Sequence, residues 1–110
     1  MQVIRTADLP ADVVARDFIG RDHGFPFTFL LVDAGPGEGP KLHRHAYPEV
    51  FILLEGAMDA TIGDETGRVE AGNVVIVPAA TAHKFVNPGP GRLRSVDIHA
   101  SDHFITEWLE

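Results

Sequence analysis

Gly37-Glu38-Gly39-Pro40-Lys41-Leu42-His43-Arg44-His45-Ala46-Tyr47-Pro48-Glu49 leads into the apolar run Val50-Phe51-Ile52-Leu53-Leu54 and ends at Glu55-Gly56. On a strand, residues two apart share a face, so His43 and His45 present both rings to one side. Pro48 interrupts a continuing ladder and lets the chain turn. Glu49 then opens a strand whose same face carries Phe51 and Leu53. A second segment, Gly72-Asn73-Val74-Val75-Ile76-Val77-Pro78-Ala79-Ala80-Thr81-Ala82-His83-Lys84-Phe85-Val86-Asn87, supplies one more histidine at the start of a strand. The inward set of that strand is His83, Phe85 and Asn87. With the two strands side by side, His43, His45, Glu49 and His83 converge on one point. Three imidazole nitrogens and a carboxylate oxygen suit one divalent first-row transition metal (Fe, Mn, Ni or Zn), with positions left open for water, oxygen or substrate. The chain has no cysteine, which excludes disulfides and thiolate metal sites.

Working outward, the pattern is β. Phe27-Thr28-Phe29-Leu30-Leu31-Val32 is nearly all apolar or β-branched and stops at Gly35-Pro36-Gly37. Val50–Leu54 and Val74–Val77 read as strands buried on both faces. Met58, Ala60 and Ile62 alternate with Asp59 and Thr61, and Gly63-Asp64-Glu65-Thr66-Gly67 reads as a hairpin turn. Leu93–His99 is a last strand. Two segments stay open between alternatives: Ala11–Ile19 as a short helix or an edge strand, and Phe104–Leu109 as a short terminal helix or an extra strand. Eleven Gly and eight Pro spread through 110 residues favour many short strands over a few long helices. The expected fold is all-β, a single antiparallel β-barrel or jelly roll with short N- and C-terminal extensions. One domain spans 1–110, with the metal-binding core at about 37–87.

A formal charge of −7, with nine unclustered Lys and Arg, argues against a nucleic-acid partner. No apolar run approaches the roughly 18–20 residues of a membrane helix, so no membrane partner is expected. The first residues lack the basic start and apolar run of a signal peptide, and the expected location is cytoplasmic.

The two segments resemble the paired signature blocks of the cupins, a superfamily of small β-barrels. Gly37, His43, His45, Glu49 and Gly56 match the first block at every position, and Gly72, Pro78, His83 and Asn87 match the second. Ala80 stands where the family has glycine, which asks the turn to avoid positive φ or to accept strain of about 1 kcal/mol. The resemblance implies the barrel, the metal ligands His43, His45, Glu49 and His83, and a homodimer. Phe104, Ile105, Trp108 and Leu109 form an apolar terminal segment that also hints at a partner copy. Cupins include dioxygenases, isomerases, epimerases, decarboxylases, sensing domains and storage proteins, so the resemblance names no reaction.

The inward candidates are Phe29, Leu31, Phe51, Leu53, Met58, Ala60, Ile62, Ile76 and Phe85, with Tyr47, Phe29, Phe51, Met58, Phe85 and Asn87 as the expected pocket positions. Such a wall is strongly apolar and suits a small, largely apolar organic ligand with one oxygen donor; equally, most of these residues simply fill the barrel. His99 shares a partly polar face with Leu93, Ser95 and Asp97, where its imidazole can act as acid or base, or it is an exposed strand end. Glu49 is the other candidate proton carrier, and Tyr47 a candidate gate. Two functions follow: a metal-dependent enzyme, either dioxygenase-like or a Lewis-acid isomerase or hydrolase, or a non-enzymatic small-molecule-binding or sensor cupin whose metal is structural or captures ligand.

Overall fold

The computed structural model describes residues 1–110. Its strands are β1 (Ala15–Phe18), β2 (Thr28–Ala34), β3 (His43–His45), β4 (Glu49–Glu55), β5 (Ala57–Ile62), β6 (Glu65–Glu70), β7 (Val74–Val77), β8 (His83–Val86), β9 (Leu93–His99) and β10 (Thr106–Trp108). Helix is limited to two single 3₁₀ turns at Thr6–Asp8 and Gly20–Asp22. No helix is long and apolar enough to cross a membrane. Two five-stranded antiparallel sheets result, ordered β1-β2-β9-β4-β7 and β10-β3-β8-β5-β6. They form the jelly roll expected from the short strands, although the hydrogen-bonded ladders do not close into a continuous barrel. Both open segments are strands: β1 lies within 11–19 and β10 within 104–109.

Register decides which residues face inward. On the first sheet one inward row is Thr28, His99, Glu49 and Val77, and the next is Asp17, Leu30, Asp97, Phe51 and Val75. Below them lie Ala15, Val32, Ser95 and Leu53. Phe51, Leu53, Met58, Val77 and Leu93 are almost wholly buried, each removed from water for roughly 1.5–3 kcal/mol. Leu53, Met58 and Leu93 fill one end of the fold, while Phe51 and Val77 reach the rows that carry the site.

Three inward assignments are corrected. Phe29 and Leu31 lie on the outer face of β2, because Thr28 pairs with His99 and sets the even-numbered residues inward. Phe29 stacks on Phe18 there, ring centroids 4.7 Å apart. Ile76 is 70 % exposed, since β7 is an edge strand with only one covered face. The same alternation holds in β4, where Phe51 and Leu53 are buried while Leu54 is exposed, so neither apolar run is buried on both faces. The β5–β6 turn is tighter than expected: Ile62 pairs with Glu65 across Gly63-Asp64, and Gly63 takes the positive φ a two-residue hairpin loop needs at its first central position.

Ala80 accepts the strain, with φ 61, and its N–H donates to His45 O at 2.7 Å. Ala80→Gly removes a left-handed penalty of about 1–2 kcal/mol and restores about 0.4–1 kcal/mol of unfolded-state freedom. A net stabilisation of up to about 1.6 kcal/mol is expected in urea unfolding; clear destabilisation counts against the strain.

Candidate metal centre

Glycine and proline punctuation brings the ligand residues to the same end of both sheets. His43 and His45 stand on β3, and His83 opens β8 directly across from His43. Glu49 opens β4 of the facing sheet. All four are buried, and their ligand atoms lie within 4.8 Å of one another.

Backbone carbonyls aim the rings. His43 Nδ1 donates to Lys41 O at 2.7 Å, His45 Nδ1 to Ile105 O at 3.1 Å, and His83 Nδ1 to Thr81 O at 2.8 Å. These bonds assign the Nδ1–H tautomer and leave the Nε2 lone pairs free. Nε2 of His83 and of His45 lie 3.1 and 3.5 Å from Glu49 Oε1. A lone pair facing a carboxylate oxygen is repulsive unless a proton or a metal cation lies between. His45 Nε2 is buried with no hydrogen-bond partner at all. Burial lowers the pKa of His43, and that of His45 to about 4, so both rings are neutral at pH 7, as ligation requires. The four residues therefore fit a divalent metal ion, and the sulfur-free donor set does not select which one.

His99 is built differently. Its Nδ1 accepts from Tyr47 Oη at 2.8 Å, which places the ring proton on Nε2, and Nε2 donates to Glu49 Oε2 at 3.0 Å. It thus orients the carboxylate and has no lone pair for a metal. Burial acts to raise the Glu49 carboxyl, but its contacts with His83, where a proton or a metal must lie between the two atoms, and with His99 outweigh it and hold the pKa down to about 2. Burial pushes the Tyr47 phenol up to about 12, so it remains a donor.

A cavity of about 340 Å³ opens over these groups, within the range of small-molecule sites. Phe51, Phe85, His99 and Glu49 line it. Met58 is fully buried in the core, and Phe29 faces outward. Asn87 is a structural tie, donating to Ala34 O and Gly91 O. Tyr47 is 9 % exposed and hydrogen-bonded to His99, and does not gate the entrance. The wall is also less apolar than expected, because Asp12, Asp17 and Asp97 line it. Asp97 was legible from its alternation with His99. Asp17 was not, since its segment was open between helix and strand.

The family model for the cupin domain matches residues 30–99. An uncharacterised protein of Streptomyces coelicolor is 36% identical over 77% of this chain and 83% of its own length. The dimethylsulfoniopropionate lyase DddW of Ruegeria pomeroyi is 34% identical over 67% of this chain and 48% of its own. Among solved structures, an oxalate decarboxylase of Bacillus subtilis whose Mn(II) centres have been characterised superposes with a TM-score of 0.81, at 23% identity, over 94% of this chain and 30% of its own. At that identity the likeness concerns the fold. The chain spans less than half of the lyase and under a third of the decarboxylase.

Burial first, then the Glu49 charge, push the Asp97 carboxyl well above its ordinary range. A native state that holds this proton more tightly than the unfolded chain loses stability as pH rises above about 4. Asparagine can still accept from Ser95 Oγ, now 2.7 Å from Asp97 Oδ1, without the charge. Metal-free Asp97→Asn protein is expected to melt at least about 4 °C higher at pH 7.5, the gap closing toward pH 4, in thermal denaturation. An unchanged or lower melting temperature at pH 7.5 would refute this.

Proposed function

Since the chain belongs to the cupin family, we propose that it is a metal-dependent enzyme that cleaves or isomerises a small organic substrate by Lewis-acid and proton-transfer chemistry. The supporting observation is the division of labour at Glu49. Oε1 faces the Nε2 atoms of His45 and His83, while Oε2 takes a proton-bearing contact from His99. His99 thereby stands at the cavity wall between the carboxylate and any bound substrate, where a proton can be taken or given. A divalent ion held by His43, His45, Glu49 and His83 would polarise a substrate oxygen and stabilise anionic charge next to a breaking bond. His99 lines the cavity, so its Nε2–H can serve either Glu49 or a substrate atom. Tyr47 behind it holds the tautomer and supplies a proton to Nδ1. The lyase among the relatives supports bond cleavage without an oxidant.

The test begins with elemental analysis of protein purified without chelators or oxygen, followed by metal titration. Loaded protein is then incubated with a panel of small oxygen-donor substrates, under nitrogen and in air, with products read by NMR. Near-stoichiometric metal and turnover under nitrogen are expected, with His99→Gln keeping the metal and losing about 10²–10⁴-fold in kcat. Turnover only with oxygen uptake replaces this reading by a dioxygenase. Failure to take up metal overturns it.

A homodimer also belongs to this reading, through a different surface from the terminal segment. β10 pairs with β3, and Phe104 and Trp108 line the cavity, while Ile105, Trp108 and Leu109 stay exposed as the sequence leads one to expect. The outer face of the first sheet instead carries an unbroken apolar row, Phe18, Phe29, Ile98, Val50 and Ile76. Beside it Leu31, Val96, Ile52 and Val74 form a second. Phe25 and Phe27, packed against Phe18, extend the patch, a contiguous apolar face of the kind that marks an interface. Wild-type protein is expected to be dimeric by light scattering at micromolar concentration, and Ile76→Arg monomeric with metal uptake retained. A wild-type monomer refutes the dimer.

A further inference from the structure

Besides Glu49, three aspartates line the cavity, and no lysine or arginine lines it to answer them. Asp17 and Asp97 lie on one inward row, separated by Leu30 on the strand between. Asp97 is 2 % exposed, and its one hydrogen bond comes from Ser95 Oγ, leaving the other carboxylate oxygen unpartnered in the cavity wall. Asp17 Oδ1 is buried without any partner. Asp12, on the same wall, uses Oδ1 to accept from Val14 N and Ala15 N. No lysine or arginine lines the cavity.

Burying Asp97 and half-burying Asp17 is costly without a countercharge, and no lysine or arginine in the cavity wall supplies one. An anionic ligand would be repelled by them, and a neutral one would leave them unanswered. The remaining wall includes Phe51, Phe85, Phe104 and Trp108, whose ring faces attract cations. A methylated cation meets those ring faces with its whole apolar, charge-bearing surface, whereas a primary ammonium directs its charge through three N–H groups.

We propose that the cavity receives a small organic cation of the onium class, a quaternary ammonium or sulfonium, seated over Leu30 between Asp17 and Asp97. The oxygen end of such a ligand points to His43, His45, Glu49 and His83. The Asp17–Asp97 row lies two residues, about 7 Å, along the strands from the Glu49–His99 row, so the charged end and the oxygen end of the ligand face different rows of the wall. Burial and the Asp12 charge raise the Asp17 pKa, the direction a bound cation reverses. The inference rests on the cavity being the substrate site of the reading above.

The experiment compares choline with 3,3-dimethylbutan-1-ol, its neutral isostere with carbon in place of the charged nitrogen. Binding is read by calorimetry and by the fluorescence of Trp108, the chain's one tryptophan, which lines the cavity. Choline is expected to bind at least about tenfold more tightly, a difference of about 1.4 kcal/mol. Asp17→Asn is expected to remove most of that preference while leaving metal content unchanged. Equal binding of the isostere, or tighter binding of acetate or malonate, overturns the inference. Running the titrations with and without Mn(II) separates the two readings. Onium preference without metal uptake supports this inference and removes the enzyme; metal uptake without onium preference does the reverse.

Discussion

A carboxylate confined between two sheets must be met by donors or by a cation, and Glu49 is 4 % exposed. Much of the site's architecture follows from that constraint. His99, its neighbour across the β4–β9 ladder, holds Oε2, and Tyr47 holds His99. The opposite sheet contributes three rings whose free nitrogens leave room for one small cation at Oε1. Removing one partner from such a group leaves an uncompensated buried charge, typically worth 3–5 kcal/mol. The carbonyls that aim the rings belong to Lys41, Thr81 and Ile105, so ring geometry depends on local backbone at three separate places. Ile105 immediately precedes β10, which makes the C-terminal strand part of the site as well as part of the second sheet.

The first sheet has opposite chemistry on its two faces. Its inner face runs from packed apolar side chains at one end to aspartates and histidines around the cavity. Its outer face is apolar along two rows, where a solvent-facing sheet would alternate to polar residues. Both departures place groups where folding alone does not favour them: charges inside and hydrocarbon outside. A bound cation would answer the first, and a second copy of the chain the second.

Local chemistry made the candidate centre legible. His43 and His45 at strand spacing, Glu49 after a proline turn and His83 at a strand start require only alternation and turn geometry. The strained φ of Ala80 was readable in the same way, from an alanine standing at a turn position that suits glycine. The continuous apolar runs were less informative. In Phe27–Val32 and Val74–Val77 apolar residues fall on both faces, so period-two alternation carries no sign, and the outward facing of Phe29, Leu31 and Ile76 is decided by register alone.

By itself, the sequence determined the β architecture, the absence of sulfur chemistry and the set of residues suited to a metal, because each rests on residue type and short-range spacing. Only the tertiary structure decided that Glu49 faces the histidines from the other sheet, that Asp17 joins Asp97 in the cavity wall, and that Tyr47 lies behind His99 rather than at an entrance. Those relations depend on inter-strand register between segments as far apart as β1 and β9. Register is set by the summed pairing and packing of whole strands, which no local stretch of the chain encodes.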